Sequence, residues 1–309
     1  MSVMRSVLLA GSQSAWLRDR ATKYGFVRRA VSRFMPGERA DDALAACTTL
    51  GAQSVTTIVT HLGENLTSLS EADDVRQEYL SLLQQIGARR LGTQVSVKLT
   101  QLGLDLDPEV CFRHLSVLGE ATERSSNYLW IDMEASPYVD VTLDLYRRVH
   151  AIYPRTGVCL QAYLRRTAAD IEQLIPLGAA IRLVKGAYNE SADVAFQRKE
   201  EVDEQYYALA TRLLGAEAVK AGVFTGIATH DPRLVARLES FIETGAVPRD
   251  RYEFEMLYGI QRGEQERLVR AGKPLRVLIS YGEFWFPWFM RRLAERPANV
   301  WFVVKNLVN

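Results

Sequence analysis

A lysine inside a strand covered on both faces is costly unless an acid answers it, and Lys98, in Val95-Ser96-Val97-Lys98-Leu99, is such a lysine. The next apolar run ends in Ile131-Asp132-Met133-Glu134, so an ion pair between Lys98 and Asp132 is expected. Polar residues recur where later apolar runs end: Gln161 and Tyr163, then Arg182, Lys185 and Tyr188, then Thr229, His230 and Asp231, then Glu255 and Tyr281. Near the C-terminus, Arg291-Arg292-Leu293-Ala294-Glu295 sets Glu295 four residues from Arg291 and three from Arg292, on one helix face. That spacing fits a solvated salt bridge. It also fits a clamp, because guanidinium groups grip a carboxylate bidentately, and the glutamate could hold them or take a substrate ammonium.

These residues need elements to bring them together. Eight short β-branched or apolar runs qualify as strands: Val55–Thr60, Val95–Leu99, Tyr128–Met133, Gly157–Ala162, Ala180–Val184, Val223–Thr229, Tyr252–Leu257 and Arg276–Ser280. Amphipathic stretches follow them: Glu71–Gly87, Pro108–Arg124, Val139–Tyr153, Thr167–Leu177, Glu200–Ala221, Pro232–Thr244, Gly263–Ala271 and Phe284–Arg296. Pro232 stands near a helix start, and Gly87, Gly222 and Gly245 near helix ends, where each type is common. Strand–helix alternation implies a parallel sheet with right-handed crossovers, and eight units are the content of a closed (β/α)8 TIM-like barrel. An open doubly wound sheet would carry a glycine-rich phosphate loop after its first strand. Here that strand runs into Thr60-His61-Leu62-Gly63-Glu64, without G-x-G-x-x-G. Before the barrel, Ala15–Arg33 and Asp41–Leu50 read as helices separated by Met35-Pro36-Gly37-Glu38. The expected organisation is a helical arm over 1–53 and a barrel domain over 54–309. In such a barrel the chemistry lies at the C-terminal strand ends, where the polar residues above collect.

Composition narrows the function classes. The 309 residues carry 38 Lys+Arg against 37 Asp+Glu, a net charge of +1, which lacks the basic excess of most nucleic-acid binders. With 48% apolar and 24% charged residues, the chain can bury a large core. Cys47, Cys111 and Cys159 are too few and too scattered for a disulfide framework or a zinc site, and are expected to be buried free thiols of a reducing compartment. No metal is expected. The apolar stretch Val7-Leu8-Leu9-Ala10 is too short for a signal peptide, and no run reaches the roughly 18 apolar residues of a membrane span. A soluble, cytoplasmic protein is expected.

Several segments, taken in order, carry a resemblance. They are Arg33-Phe34-Met35-Pro36-Gly37-Glu38, Val95-Ser96-Val97-Lys98-Leu99, Ile131-Asp132-Met133-Glu134 and Leu160-Gln161-Ala162-Tyr163-Leu164. Arg182-Leu183-Val184-Lys185-Gly186-Ala187-Tyr188, Ala228-Thr229-His230-Asp231 and Phe254-Glu255-Met256-Leu257-Tyr258-Gly259 continue the series. Tyr281-Gly282 and Arg291-Arg292-Leu293-Ala294-Glu295-Arg296-Pro297-Ala298-Asn299 close it. Each motif is weak alone. Together, from about residue 30 to 302, the chain resembles the proline dehydrogenase family, flavin enzymes of the monofunctional bacterial type. The resemblance implies a distorted barrel that holds FAD noncovalently at its C-terminal face. Gln161, Arg182, Val184, Lys185, Gly186, Thr229 and His230 match flavin contacts, and Asp132, Ala187, Asp231, Glu255 and Phe302 complete the implied cofactor set. Arg291 and Arg292 match the clamp on the substrate carboxylate, with Glu295 their partner. Lys98 and Asp132 match a pair beneath the substrate, and Ala187, Tyr188 and Leu257 match the walls around its ring. The implied reaction is hydride transfer from a neutral cyclic amine to flavin N5, yielding 1-pyrroline-5-carboxylate. Electrons then pass to a quinone or another acceptor, which implies peripheral contact with the inner face of the membrane.

The chain also departs from the family pattern. Where R-V-Y-x-P-Y-G is usual, it has Arg276-Val277-Leu278-Ile279-Ser280-Tyr281-Gly282, so Leu278 replaces a tyrosine that packs on the substrate ring and bonds the clamp. Losing that hydroxyl costs about 0.5–1.5 kcal/mol. Weaker proline binding, or a more apolar cyclic or N-alkyl amino acid as substrate, is the expected consequence. Trp288, Asn189 and the tail Val303–Asn309 are further departures. Two other readings compete: a Schiff-base lyase using Lys98 or Lys185, and a flavin-binding relative without turnover. The oligomeric state is not legible.

Overall fold

The computed structural model describes residues 31–63 and 66–286. Eight strands form one closed parallel barrel in chain order: β1 (Thr56–His61), β2 (Thr93–Val97), β3 (Leu129–Ile131), β4 (Thr156–Gln161), β5 (Ala180–Val184), β6 (Phe224–Ala228), β7 (Tyr252–Leu257) and β8 (Leu275–Tyr281). The barrel closes between β1 and β8, in register from Thr56↔Arg276 to His61↔Tyr281. Helix α1 (Ala40–Gly51) precedes it. Between the strands run α2 (Leu69–Ala88), α3 (Pro108–Arg124), α4 (Val139–His150), α5 (Thr167–Leu174), α6 (Lys199–Leu214), α7 (Ala216–Ala221), α8 (Pro232–Thr244) and α9 (Arg262–Arg270).

Two cores follow from the period-2 alternation of strand side chains. Outward residues such as Val59, Val95, Leu183 and Val277 merge with the helices' apolar stripes into one shell, which also takes in Ala43, Leu44 and Cys47 of α1. Inside the barrel, Ile58, Trp130 and Ala180 form a separate cluster with Tyr128, Phe224 and Leu278 packed on it. Helix starts are set by local chemistry. Asp107 caps α3, accepting from the Glu109 and Val110 amides ahead of Pro108, and Ser68 and Glu71 form a capping box on α2. At the N-terminal end of the barrel, Arg276 donates to Glu253 at 2.6 Å and to the Thr57 carbonyl at 3.1 Å, tying three strands together beneath the inner core.

Several boundaries differ from expectation, and three stand out. β2 stops at Val97, which leaves Lys98 just beyond the strand, and β3 covers only Leu129–Ile131. The stretch read as a helix over 200–221 is two helices, because Gly215 adopts extended backbone (φ −68, ψ 156) between α6 and α7. Most of Phe284–Arg296 and of Ala15–Arg33 lies outside the described residues. The three cysteines are free and buried. Among the described residues, no helix is long and apolar enough to cross a membrane, and no cluster of His, Cys, Asp and Glu could hold a metal.

Candidate active site

β5 places Arg182 inside the barrel, 3% exposed. Its Nε donates to Glu255 Oε2 at 2.7 Å, and its Nη1 to Asp132 Oδ1 at 2.9 Å and Ser96 Oγ at 3.1 Å. The guanidinium lies over the Trp130 ring, 4.6 Å from its centroid. Small residues make this assembly possible. A Cβ on Gly226 would stand 2.1 Å from Glu255 Oε1, and one on Gly157 would stand 2.6 Å from the Trp130 ring. Desolvation outweighs the pull of Arg182 and pushes the Glu255 carboxyl above the usual carboxylate range. Burial works against the charge of Arg182 too, but Glu255 and Asp132 overcome it and hold the guanidinium pKa up.

The expected ion pair between Lys98 and Asp132 does not form. Asp132 is taken by Arg182 and by Ser96, whose hydroxyl donates at 2.7 Å. A planar guanidinium crossing the lumen offers several N–H groups, and Asp132 accepts from it as well as from Ser96. Lys98 is half-buried and makes no ion pair among the described residues. Its charge is felt by Glu134, whose carboxyl burial pushes up while Thr100, through its hydroxyl and amide, and Lys98 pull it down.

The remaining candidates line the C-terminal rim. Gln161, at the end of β4, donates to the Glu134 carbonyl at 2.7 Å. Val184 ends β5, and its carbonyl accepts the Ala162 amide. Lys185 turns to Asp203 of α6 and to Asp231 (3.2 Å), an acid pair that Lys199 shares. Burial opposes ionisation of Asp231, but Lys185, the Arg233 amide and Lys199 hold its carboxyl below the usual range. The same aspartate caps α8. Gly186 has φ 120, and a Cβ there would stand 2.2 Å from the Tyr163 ring. Ala187 and Tyr188 follow it, half-buried. Thr229 Oγ1 accepts the Asp231 amide, and the His230 carbonyl accepts from Gln261. Leu257 and Leu278 face one another in register on β7 and β8, both half-buried, with Leu278 resting on the inner apolar cluster. Arg291, Arg292, Glu295, Phe302 and Trp288 lie outside the described residues.

Several residues of the site escaped the sequence reading. Glu253 and Arg276 are buried charges in strands, the same signal that singled out Lys98, and Gly157 and Gly226 are strand glycines, which mark close approach. Ser96 and Trp130 had no such signal. Glu190 had none either. It accepts the Ser136 amide at 2.7 Å and the Ser136 hydroxyl at 2.5 Å, and so ties the loop after β5 to the loop after β3.

Among the described residues, the buried polar atoms that lack a hydrogen-bond partner include Arg182 Nη2, Gln161 Oε1 and Glu255 Oε1 of the site, and Thr60 Oγ1, His61 Nδ1 and Ser280 Oγ on β1 and β8. Buried donors and acceptors without partners call for a further group, an ordered water or a ligand, to meet them. Comparison with known proteins bears on what that ligand is. The family model described as proline dehydrogenase matches residues 43–305. Proline dehydrogenase 1 of Bacillus subtilis is 36% identical over 306 residues, covering 99% of this chain and 99% of that protein. Proline dehydrogenase of Deinococcus radiodurans is 33% identical over 284 residues, 90% of each chain. Among solved structures, proline utilization A from Bdellovibrio bacteriovorus, described as inactivated by N-propargylglycine, superposes with a TM-score of 0.81 at 24% identity, over 94% of this chain and 36% of that one. Proline utilization A from Corynebacterium freiburgense gives 0.77 at 22% identity, over 95% and 33%. At such identities the likeness is one of fold, and the chain spans about a third of those longer proteins.

Proposed function

The chain belongs to the proline dehydrogenase family and is an oxidoreductase enzyme, and from that premise we propose that it oxidises L-proline, or a close cyclic or N-alkyl amino acid, with FAD held at the C-terminal mouth of the barrel. The observation that carries the reading is that Arg182 Nη2 and Gln161 Oε1 are buried without hydrogen-bond partners on the neighbouring strands β5 and β4. A flavin ring offers both carbonyl oxygens and an N–H along its polar edges, so this donor and acceptor fit it. When bound, FAD supplies the hydride acceptor.

The chain's own residues do the rest. Arg182 presents positive charge from a site that already excludes water, where it is worth more than in solvent. Arg291 and Arg292, braced by Glu295, grip the substrate carboxylate and orient the ring carbon that loses hydride, with Lys98 adding charge from below. Leu257, Leu278, Ala187 and Tyr188 wall the ring and exclude water. The substrate nitrogen reacts as the neutral amine, because its lone pair assists loss of hydride. The product is the cyclic imine, 1-pyrroline-5-carboxylate when proline is the substrate. The electrons leave to a quinone or another acceptor at a membrane surface.

Leu278 favours the second substrate class, since it puts an apolar side chain where the family pattern has a tyrosine hydroxyl. Anaerobic addition of proline and a panel of cyclic and N-alkyl amino acids to the FAD-loaded chain distinguishes the two. The substrate bleaches the flavin absorbance fastest. A chain that takes up no FAD, or a flavin that none of these compounds bleaches, overturns the reading.

A further inference from the structure

Glu255 is a candidate flavin contact by resemblance, yet its surroundings give it a different task. One carboxylate oxygen is committed to Arg182 Nε at 2.7 Å. The other, Oε1, fills the space over Gly226, where a Cβ would approach it to 2.1 Å. The whole residue is 3% exposed. Oε1 has no hydrogen-bond partner among the described residues, so the bond this buried carboxylate makes is the one to Arg182.

The guanidinium is the group this arrangement controls. Asp132 and Ser96 both hold Nη1, so without Glu255 the group would hinge about that one nitrogen. Adding the Nε anchor fixes its plane, with Trp130 beneath one face. Of its nitrogens, only Nη2 then lacks a partner. Gly226 belongs to the same device, because any side chain there would displace the carboxylate.

We propose that Glu255 is a positioning residue that aims Arg182 Nη2 at the ligand, with Gly226 keeping the space it needs. This rests on the reading that FAD binds at the barrel mouth. The test is FAD titration of the full-length apo chain, followed by quenching of flavin fluorescence, with a thermal melt of each variant to confirm folding. Glu255→Ala should weaken FAD binding by about tenfold or more, whereas Glu255→Gln, which keeps an oxygen for the Nε–H, should stay within about threefold of wild type. Gly226→Ala, which removes no polar group, should weaken binding as Glu255→Ala does. In an Arg182→Met background, Glu255→Ala should cause no further loss, since its effect passes through the guanidinium. Losses that multiply in the double variant, or a Glu255→Ala chain that binds FAD like wild type, would overturn the assignment. So would a Glu255→Gln chain as weak as Glu255→Ala. A wild-type chain that takes up no FAD instead removes the reading on which the assignment rests.

Discussion

At the residue scale, the charge within the lumen is shared. Arg182 meets both Asp132 and Glu255, and two residues before Glu255 the pair of Glu253 and Arg276 repeats the arrangement at the other end of the barrel. Burial raises the folded-state pKa of Glu255 from 4.5 to about 7, so the folded chain keeps a proton that the unfolded chain releases near 4.5. The stability linked to that proton is complete below the unfolded value and is lost as pH rises through about 7. Glu255→Gln cannot titrate. The stability of wild type relative to this variant should therefore fall between about pH 5 and about pH 8 in a series of thermal melts, and a flat difference would contradict the shift. Leu278→Tyr, which restores the tyrosine of the family pattern, should lower the apparent KM for proline by roughly 2- to 12-fold. A higher KM would mean that the native substrate uses the apolar wall.

At the scale of elements, most strands could be read from the chain. Ala180–Val184 and Tyr252–Leu257 coincide with β5 and β7, because continuous apolar runs bounded by polar residues leave little latitude. β2 and β3 came out shorter, since ladder hydrogen bonds, not hydrophobicity, end a strand, and Asp132 and Met133 already belong to the turn toward the rim. The break at Gly215 was hidden by an amphipathic pattern that continues through it. The loop after β5 depends on contacts across the barrel mouth. Gly186, with φ 120, sits against Tyr163, and Glu190 is fastened to Ser136. Gly186→Ala should destabilise the chain by about 1–3 kcal/mol and loosen this loop. The first shows as a lowered Tm, the second as faster hydrogen exchange over residues 185–197. Unchanged exchange there would mean that the loop tolerates the methyl group.

At the scale of the whole molecule, one closed barrel joins an apolar shell to a partly charged interior. Its N-terminal end depends on Arg276, which ties Glu253 to the Thr57 carbonyl. Arg276→Met strands a buried carboxylate and should cost about 3–5 kcal/mol in denaturant unfolding. Adding Glu253→Leu should recover most of that loss, because removing both charges leaves none unpaired. If the double variant is no more stable than the single one, the main-chain bond and not the ion pair closes the barrel. By itself, the sequence determined the eight strands, the helices between them and the family, since hydrophobic period and local motifs are properties of neighbouring residues. Only the tertiary structure decided who pairs with whom. Neighbouring runs suggested Lys98 as the partner of Asp132, and Asp132 went to Arg182 instead because the closed barrel lets Arg182 reach across the lumen from β5, where its fork of N–H groups meets the carboxylate.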